Sequence, residues 1–193
     1  MIKLLTPRAL LLAIATMAAL SSCKTSSSAL DMGLTDSLNL GFEQITRMGR
    51  PLGWYAGGGG GTNREPEDYR GSIDPSVKRS GKHSLRMQYV QGKGGVATNG
   101  VDDLRPYQGK KLRFSAWVKT SDVKRAWLWF RTDDAANKML DMSYSPDLVG
   151  THDWTRLENT IAIAPTAVEA NFGFLIDGPG DAWVDDYMLE IVP

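Results

Sequence analysis

Acidic doublets and two histidines have the most obvious catalytic potential in this sequence. They are Asp102-Asp103, Asp133-Asp134, Asp185-Asp186, His83 and His152. Hydrolysis of a glycosidic bond needs two carboxyl groups about 5–10 Å apart, a geometry that adjacent residues in a turn do not supply. No G-x-S-x-G nucleophile elbow occurs, and Gly57–Gly61 lacks the Lys-Ser/Thr end of a phosphate loop. The sequence therefore predicts a protein that is not an enzyme.

Alternation of apolar and polar residues places three tryptophans and an arginine on equivalent strand faces. In the predicted strand Lys111–Lys119, Trp117 projects from the face that does not carry the apolar residues. Trp127, Trp129 and Arg131 project from the corresponding face of the next strand. If the two strands pair, these four side chains share one face outside the core. Contiguous apolar surface usually marks an interaction site. The alternative is that a loop covers the tryptophans and makes them a second small core.

Indole and guanidinium groups side by side suit carbohydrate recognition. The apolar face of a pyranose stacks on a rigid indole, while its hydroxyl groups bond to polar side chains. We predict a glycan site on this face, and its members are Trp117, Trp127, Trp129, Arg131, Gln88 and Asn99, with Arg86 and Asp177 as further polar candidates. A second location stays open, because Tyr55, Tyr69 and Tyr107 lie in loop-like stretches that could line an edge site. Trp54, Trp154 and Trp183 are assigned to the core or its edge.

Residues 1–22 indicate export. Lys3 and Arg8 precede a 12-residue apolar run that is too short to span a bilayer. The run ends in Leu20-Ser21-Ser22-Cys23, which resembles the bacterial lipobox, and Cys23 is the only cysteine. The resemblance implies a lipoprotein signal peptide, with diacylglycerol and palmitate attached at Cys23. The alternative is a plain secretory signal with an incidental cysteine.

Residues 23–36 are polar and Ser-rich, which predicts a tether with a root-mean-square reach of roughly 20 Å. Residue 24 is Lys rather than Asp, and by resemblance to Gram-negative sorting this favours the outer membrane. Several acyl chains anchor stably where one is marginal. We expect an exported protein, lipid-anchored to the cell envelope, with one folded domain over residues 37–193.

Composition excludes several other classes of protein. The 193 residues carry 22 basic and 22 acidic side chains, so no positive excess favours nucleic acid as a partner. The single cysteine excludes a disulfide framework and a Cys-based zinc cluster. The oligomeric state is left open.

After residue 36 the sequence alternates in short runs bounded by Gly, Pro, Asn and Asp, which is typical of strands. These runs predict about nine or ten strands in an all-β, antiparallel β-sandwich of the jelly-roll kind with negligible helix. Residues 56–71 are predicted to form a mobile surface loop. The clearest runs are His83–Val90, Lys111–Lys119, Arg125–Thr132, Trp154–Ile163, Ala170–Asp177 and Ala182–Val192, and the weaker ones are Leu38–Glu43, Trp54–Tyr55, Ser72–Lys78, Gly95–Val101 and Met139–Ser143.

Five segments in order resemble landmarks of the CenC-type carbohydrate-binding modules, which are galactose-binding-like jelly rolls. They are Asn39–Glu43 with Gly53-Trp54-Tyr55, Gly81–Met87, Leu112–Lys119, Gly150–Trp154 and Ala182–Glu190. The resemblance covers about residues 37–192. It implies a non-catalytic module that binds a polysaccharide. The alternative is a structural or protein-interaction envelope lipoprotein with the same fold and no sugar ligand.

The resemblance also implies a structural Ca²⁺ ion that joins the first strand to the last. The matching positions are the carboxylates of Glu43 and Asp186 and the carbonyl groups around Ser80 and Lys82. Ca²⁺ prefers six to eight oxygen ligands of these kinds. Asp185 competes with Asp186, because adjacent strand residues face opposite ways unless a bulge intervenes. The alternative is that these acidic residues cap turns or pair with Arg or Lys.

Overall fold

The computed structural model describes residues 37–58 and 68–193, which form an antiparallel β structure. The predicted signal peptide (1–22) and tether (23–36) lie outside the described residues. A 3-10 turn, Arg105–Tyr107, adds a short helical element, and no described helix is long and apolar enough to cross a bilayer. The strands are β1 Tyr55–Gly58, β2 Tyr69–Asp74, β3 Ser84–Tyr89, β4 Gly94–Val101, β5 Lys111–Asp133, β6 Met139–Tyr144, β7 Leu148–Ala162, β8 Glu169–Asp177 and β9 Asp181–Val192.

The long strand β5 closes the structure by taking part in both layers of the sandwich. The strand order is β6-β5-β8-β4-β1-β2-β3-β9, and β9 pairs back with β5. The first half of β5 pairs with β7 and β9, and its second half pairs with β8 and β6. Between the halves the register with β7 shifts repeatedly, and Asp122 has a φ of +54°. The predicted strands 111–119 and 125–132 are therefore consecutive parts of one bent strand.

Alternating apolar residues of the strands fill the interior, as the sequence pattern predicts. Phe114 and Val118 of β5 are fully buried. Six aromatic rings form the centre, with centroids 4.9–6.2 Å apart in tilted, edge-on and stacked pairs. They belong to Phe42, Trp54, Phe114, Phe130, Phe172 and Tyr187. The predicted all-β antiparallel sandwich is confirmed.

Two predictions for the early part of the chain are wrong in detail. Leu38–Glu43 is a turn rather than a strand, because Asn39 and Phe42 have φ values of +50° and +58°. Tyr69 does not line an edge site, because it belongs to β2, is fully buried and donates to the carbonyl of Gly178. In the predicted loop 56–71, β1 and β2 occupy both ends, and residues 59–67 lie outside the described residues.

Candidate functional site

A groove runs along β4 and β8 on one outer face of the structure. Cross-strand pairing places Tyr55, Thr98, Gly173, Trp129 and Tyr144 in a single row over β1, β4, β8, β5 and β6. Directly opposed residues of an antiparallel sheet project to the same face. The residues on either side of the glycine are buried phenylalanines, so this row faces outward. About three strand spacings, or about 14 Å, separate the Tyr55 strand from the Trp129 strand.

The floor of the groove lacks bulky polar side chains. Val96 and Leu175 pair across β4 and β8 in the row next to Thr98 and Gly173. Glycine is required at 173, since a Cβ atom there would lie 1.9 Å from the carbonyl oxygen of Ala97. A depression of about 380 Å³ opens at one end, lined by Gly58, Gly94, Gly95, Val96, Trp127, Leu175, Ile176 and Asp177. The groove therefore leaves space for a ring-shaped ligand.

Aromatic side chains form both walls of the groove. Tyr55 is 59% exposed on one side, and Tyr144 is 53% exposed on the other. Trp129 is partly buried, and its indole N–H is enclosed without a hydrogen-bond partner, so packing holds the ring in place. In the described part of the chain no guanidinium group or aromatic ring is stacked on Trp129.

Trp127, one row away, has a cation stacked on its ring. The guanidinium carbon of Arg125 lies 3.7 Å from the centroid of the Trp127 ring. A carboxylate oxygen of Asp147 lies 3.4 Å from Nε of Arg125 and helps to hold it there. This cation–π contact covers one face of the indole. Trp127 therefore contributes to the end wall of the depression rather than a fully open stacking surface.

Arg131 supplies hydrogen-bond donors at the opposite end of the groove. Its Nε atom donates to both carboxylate oxygens of the buried Asp133, at 2.9 Å each. This hydrogen bonding raises the pKa of Arg131 and fixes the orientation of its guanidinium group. Asn171 on β8 is directly opposite Arg131 in the sheet. The groove thus combines aromatic walls with a polar end.

Trp117 lies elsewhere, so the prediction of one face shared by all three tryptophans is wrong. It belongs to the first half of β5, opposite Arg156 on β7 and Asp185 on β9. The guanidinium carbon of Arg79 lies 3.9 Å from its ring centroid, and Arg79 is bonded to Asp186. The prediction assumed that the two runs are neighbouring strands, whereas they are halves of one bent strand.

The weaker candidates also separate. Gln88 lies in the same cross-strand row as Trp127, but five strand spacings away through β2, β1, β4 and β8. Asn99 projects from the other side of β4 and donates to the carbonyl of Leu38 at 2.7 Å. Arg86 forms an ion pair with Asp181. Gln88 and Arg86 alternate with the buried Leu85 and Met87 and so share the outer face of β3, but both lie far from Trp129 across the sheet.

Sequence reasoning missed most of the groove. Tyr144, Thr98 and Gly173 were not identified as site residues, and Tyr55 was placed only at an alternative edge site. One signal was available: Gly173 interrupts the apolar strand β8, and a glycine inside a strand often marks close backbone approach. The register that aligns these residues is not visible in sequence alternation.

The predicted calcium ligands converge on one turn, residues 79–83. Oε1 of Glu43 accepts the backbone N–H groups of Lys82 and His83 at 2.8 and 3.2 Å. On the other side, Asp186 accepts from the hydroxyl of Ser80 at 2.6 Å and the guanidinium of Arg79 at 2.9 Å. Both carboxylates therefore bind the same turn, from opposite sides.

A bulge lets Asp185 reach the same turn. Pairing with β5 shifts between Ser115 and Trp117, and Asp186 has a φ of +49°. The carboxylate of Asp185 accepts the backbone N–H groups of Arg79, Ser80 and Asp186. Burial raises the pKa of Asp185 to about 6, and the negative charge of Asp186 adds to this effect.

The donors around these carboxylates do not fit a Ca²⁺ ion in this geometry. Amide N–H groups and the Arg79 guanidinium bind the oxygen atoms that a cation needs, and a guanidinium repels a cation. Within residues 37–58 and 68–193, no three His, Cys, Asp or Glu side chains form a group that could hold a metal ion. Calcium binding stays a prediction from the resemblance.

Comparison with known proteins gives one curated relative and many similar folds, while no protein-family model matches the chain. An uncharacterized HTH-type transcriptional regulator of Bacillus subtilis strain 168, YbfP, is 32% identical over 148 residues. The match covers 72% of this chain and 48% of that protein. The chain therefore spans about half the length of the curated relative that it matches.

Solved structures show the fold. The CBM22-1 xylan-binding domain of Paenibacillus barcinonensis Xyn10C is 16% identical with a TM-score of 0.53, over 79% of this chain and 91% of that domain. The enzymatically active domain of bacteriophage CBA120 tailspike protein 4 is 12% identical with a TM-score of 0.61, over 79% of this chain and 22% of that chain. A cyclase from Fischerella sp. TAU is 12% identical with a TM-score of 0.58, over 80% of this chain and 94% of that chain. The chain has a carbohydrate-binding-module-like jelly-roll fold, which proteins with other activities share.

Proposed function

We propose that this chain is a non-catalytic carbohydrate-binding protein that holds a glycan in the groove along β4 and β8. The observation that carries this proposal is the row Tyr55, Thr98, Gly173, Trp129 and Tyr144, in which aromatic walls flank a floor of small residues. The walls are placed to stack on the apolar faces of sugar rings. Arg131 is placed to donate to ring hydroxyl groups.

The groups around the groove support binding rather than catalysis. Asp133 is bound to Arg131, and Asp177 lies 3.4 Å from Nζ of Lys124. Glycoside hydrolysis requires one carboxyl group held protonated and a second in position across the bond. Each of these two carboxylates is instead paired with a cation. We therefore assign the groove a recognition role.

The predicted lipid anchor belongs to the same proposal. Acyl chains on Cys23 would hold the domain at the cell envelope. Lys24, in place of Asp at that position, favours the outer membrane. The tether of residues 23–36 would let the groove reach polysaccharide near the membrane surface. The structural neighbours include xylan-binding domains, so xylan is the first glycan to test.

Titration of the processed chain with a panel of soluble polysaccharides tests this proposal. The panel contains xylan, mixed-linkage glucan, mannan, polygalacturonate and peptidoglycan fragments, and the readouts are tryptophan fluorescence and calorimetry. We expect one glycan to bind with a Kd of about 1 μM to 1 mM, a modest affinity for a groove of this size. No signal across the panel would favour the alternative, an envelope protein with an interaction or structural role.

A further inference from the structure

A short hairpin near the start of the described chain exposes apolar side chains at its tip. Residues 44–52 form this hairpin, in which Ile45 bridges to Pro51 and the N–H of Thr46 donates to the carbonyl of Arg50. Met48 is 84% exposed at the tip, and Ile45 and Leu52 are each about half exposed beside it. Three apolar side chains grouped on one projecting element indicate an interaction surface.

The same hairpin is positively charged. Arg47 and Arg50 are its only charged residues. Neither takes part in an ion pair within the described residues. The preceding residue, Glu43, directs its carboxylate to the backbone of Lys82 and His83 instead. The tip therefore combines apolar groups with two cations that have no internal counter-charge.

The hairpin is fixed to the domain next to the segment that leads to Cys23. The side-chain amide of Asn39 donates to the carbonyls of Gln44 and Leu52 at 2.8 and 3.0 Å, and its oxygen accepts the N–H of Gln44. These three bonds tie the base of the hairpin to Asn39, which is two residues after Ser37. Thirteen residues lie between Cys23 and Ser37, and a flexible chain of that length would have a reach of roughly 20 Å. A membrane that held a lipid on Cys23 would therefore be within reach of the tip.

We propose that the hairpin 44–52 docks on an anionic lipid bilayer. Ile45, Met48 and Leu52 enter the boundary between headgroups and acyl chains, and Arg47 and Arg50 bond to lipid phosphates. This function goes beyond glycan binding, because it determines how the domain stands on the membrane. Tyr55 follows Leu52 closely, so docking also brings that wall of the groove near the bilayer surface.

An exposed apolar residue at the other end of the domain provides a matched control. Asn99 of β4 binds the carbonyl of Leu38 and pairs with Phe172, so the N-terminal segment lies beside the first half of β8. Val149 follows Leu148, which pairs with Ala126, and Ala126 pairs with Ile176 at the opposite end of β8. Val149 is 64% exposed, so a probe at this position experiences water unless the domain lies on that end.

The test measures how deeply each position enters a bilayer. Met48→Cys and Val149→Cys versions of the full processed chain are labelled with a thiol-reactive fluorophore and reconstituted through the N-terminal lipid. Acylation of Cys23 leaves the new cysteine as the reactive thiol, because the chain has no other. The vesicles contain phosphatidylethanolamine with phosphatidylglycerol, or phosphatidylcholine alone, and lipids brominated on the acyl chains quench a probe that inserts.

We expect severalfold stronger quenching at position 48 than at position 149 in the anionic vesicles. Combining Arg47→Glu and Arg50→Glu should remove the difference, whereas Lys93→Glu with Lys124→Glu should leave it intact. Equal quenching at the two positions, no quenching at 48, or failure of the chain to associate with vesicles would each overturn the proposal. Quenching that is equally strong on phosphatidylcholine would also overturn it, because the arginines would then play no part. The hairpin does not line the groove floor, so glycan titration of the same variants separates this result from the proposed function.

Discussion

The two halves of β5 have the same alternating sequence pattern but different surfaces. In the first half, Trp117 lies under the guanidinium of Arg79, which is itself bonded to Asp186. In the second half, Trp129 lies between Tyr144 and the glycine floor, with no stacked cation in the described structure. An outward tryptophan is therefore a stacking surface or a covered side chain according to which strands flank it.

The arginines of the two regions show how this difference arises. Arg79 comes from the turn between β2 and β3, which is bonded to Asp185 and Asp186 of β9, and its guanidinium lies over the Trp117 ring. Arg131 is two residues from Asp133 on the same strand, so their bond keeps the guanidinium beside the tryptophans. Arg131 is held by a carboxylate of its own strand, whereas Arg79 from a neighbouring turn lies on Trp117, as Arg125 does on Trp127.

The largest expected effect concerns Asp185, which is opposite Trp117 and 1% exposed. Its pKa is raised to about 6 by burial and by Asp186, so the folded state binds an extra proton between about pH 4 and 6. Above about pH 6 the charged, desolvated carboxylate of Asp185 destabilises the folded state. Protonation removes this destabilisation as the pH falls. The free energy of unfolding of the wild type should gain up to about 3 kcal/mol over Asp185→Asn between pH 7 and pH 4.

Urea unfolding at several pH values measures this difference directly. Subtracting the Asp185→Asn curve removes the opposing titration of the other carboxylates. A difference that stays constant from pH 4 to pH 7 would show that Asp185 is not desolvated. Asp177→Asn, which removes a partly exposed carboxylate paired with Lys124 at the end of β8, serves as the control.

The sharpest test of the comparison is truncation of one tryptophan from each half. Trp129→Ala should weaken glycan binding by about 30-fold or more, as for a central aromatic residue in a recognition site. Trp117→Ala should leave the Kd unchanged within a factor of about two, since its ring is covered. Calorimetry with the glycan identified by the panel measures both. Equal losses in the two variants would contradict the assignment of the groove to the second half.

A bulky side chain on the groove floor should block binding without disturbing the core. Thr98 lies between Tyr55 and Gly173, and Thr98→Trp would fill the space between the walls. We expect the affinity to fall at least tenfold, about 1.4 kcal/mol, with a similar Tm because tryptophan suits an outward strand position. Thr160→Trp, at an exposed position on β7, is the control. Unchanged affinity in Thr98→Trp would place the ligand elsewhere.

Calcium should have the smallest effect. Arg79 occupies Asp186, so we expect millimolar Ca²⁺ to raise the Tm of the wild type by about 2 °C at most. Arg79→Gln removes the guanidinium from Asp186 and should enlarge this Tm shift, whereas Glu43→Gln should abolish it. Thermal unfolding with calcium and with EDTA provides the comparison. If none of the three proteins responds, the calcium prediction is wrong.

Much of the fold could be predicted because burial follows a period of two along each strand. Phe114, Val118, Phe130 and Phe172 enter the core as their alternation indicates. The same rule failed at Leu38–Glu43, where Leu40 and Phe42 are buried although the backbone turns at Asn39. Apolar spacing reports which side chains avoid water, but it does not report the backbone path that brings them inside.

The candidate site was only partly predictable for a related reason. Trp127, Trp129 and Arg131 were identified because all three project from one strand, so local alternation was sufficient. Tyr55, Thr98 and Gly173 belong to strands that are distant in sequence, and only their pairing register brings them to Trp129. The interaction of Arg79 with Trp117 likewise depends on a long-range contact.

The sequence by itself determined the all-β class, the identity of most core residues and the outward orientation of the tryptophans. These properties depend on local alternation and on the exclusion of apolar groups from water. The tertiary structure alone decided which outward tryptophan is covered, which aromatic residues share a row, and that an arginine occupies the acidic turn. Those outcomes depend on the bend of β5 and on strand register, both set by the total free energy of contacts between residues far apart in the chain.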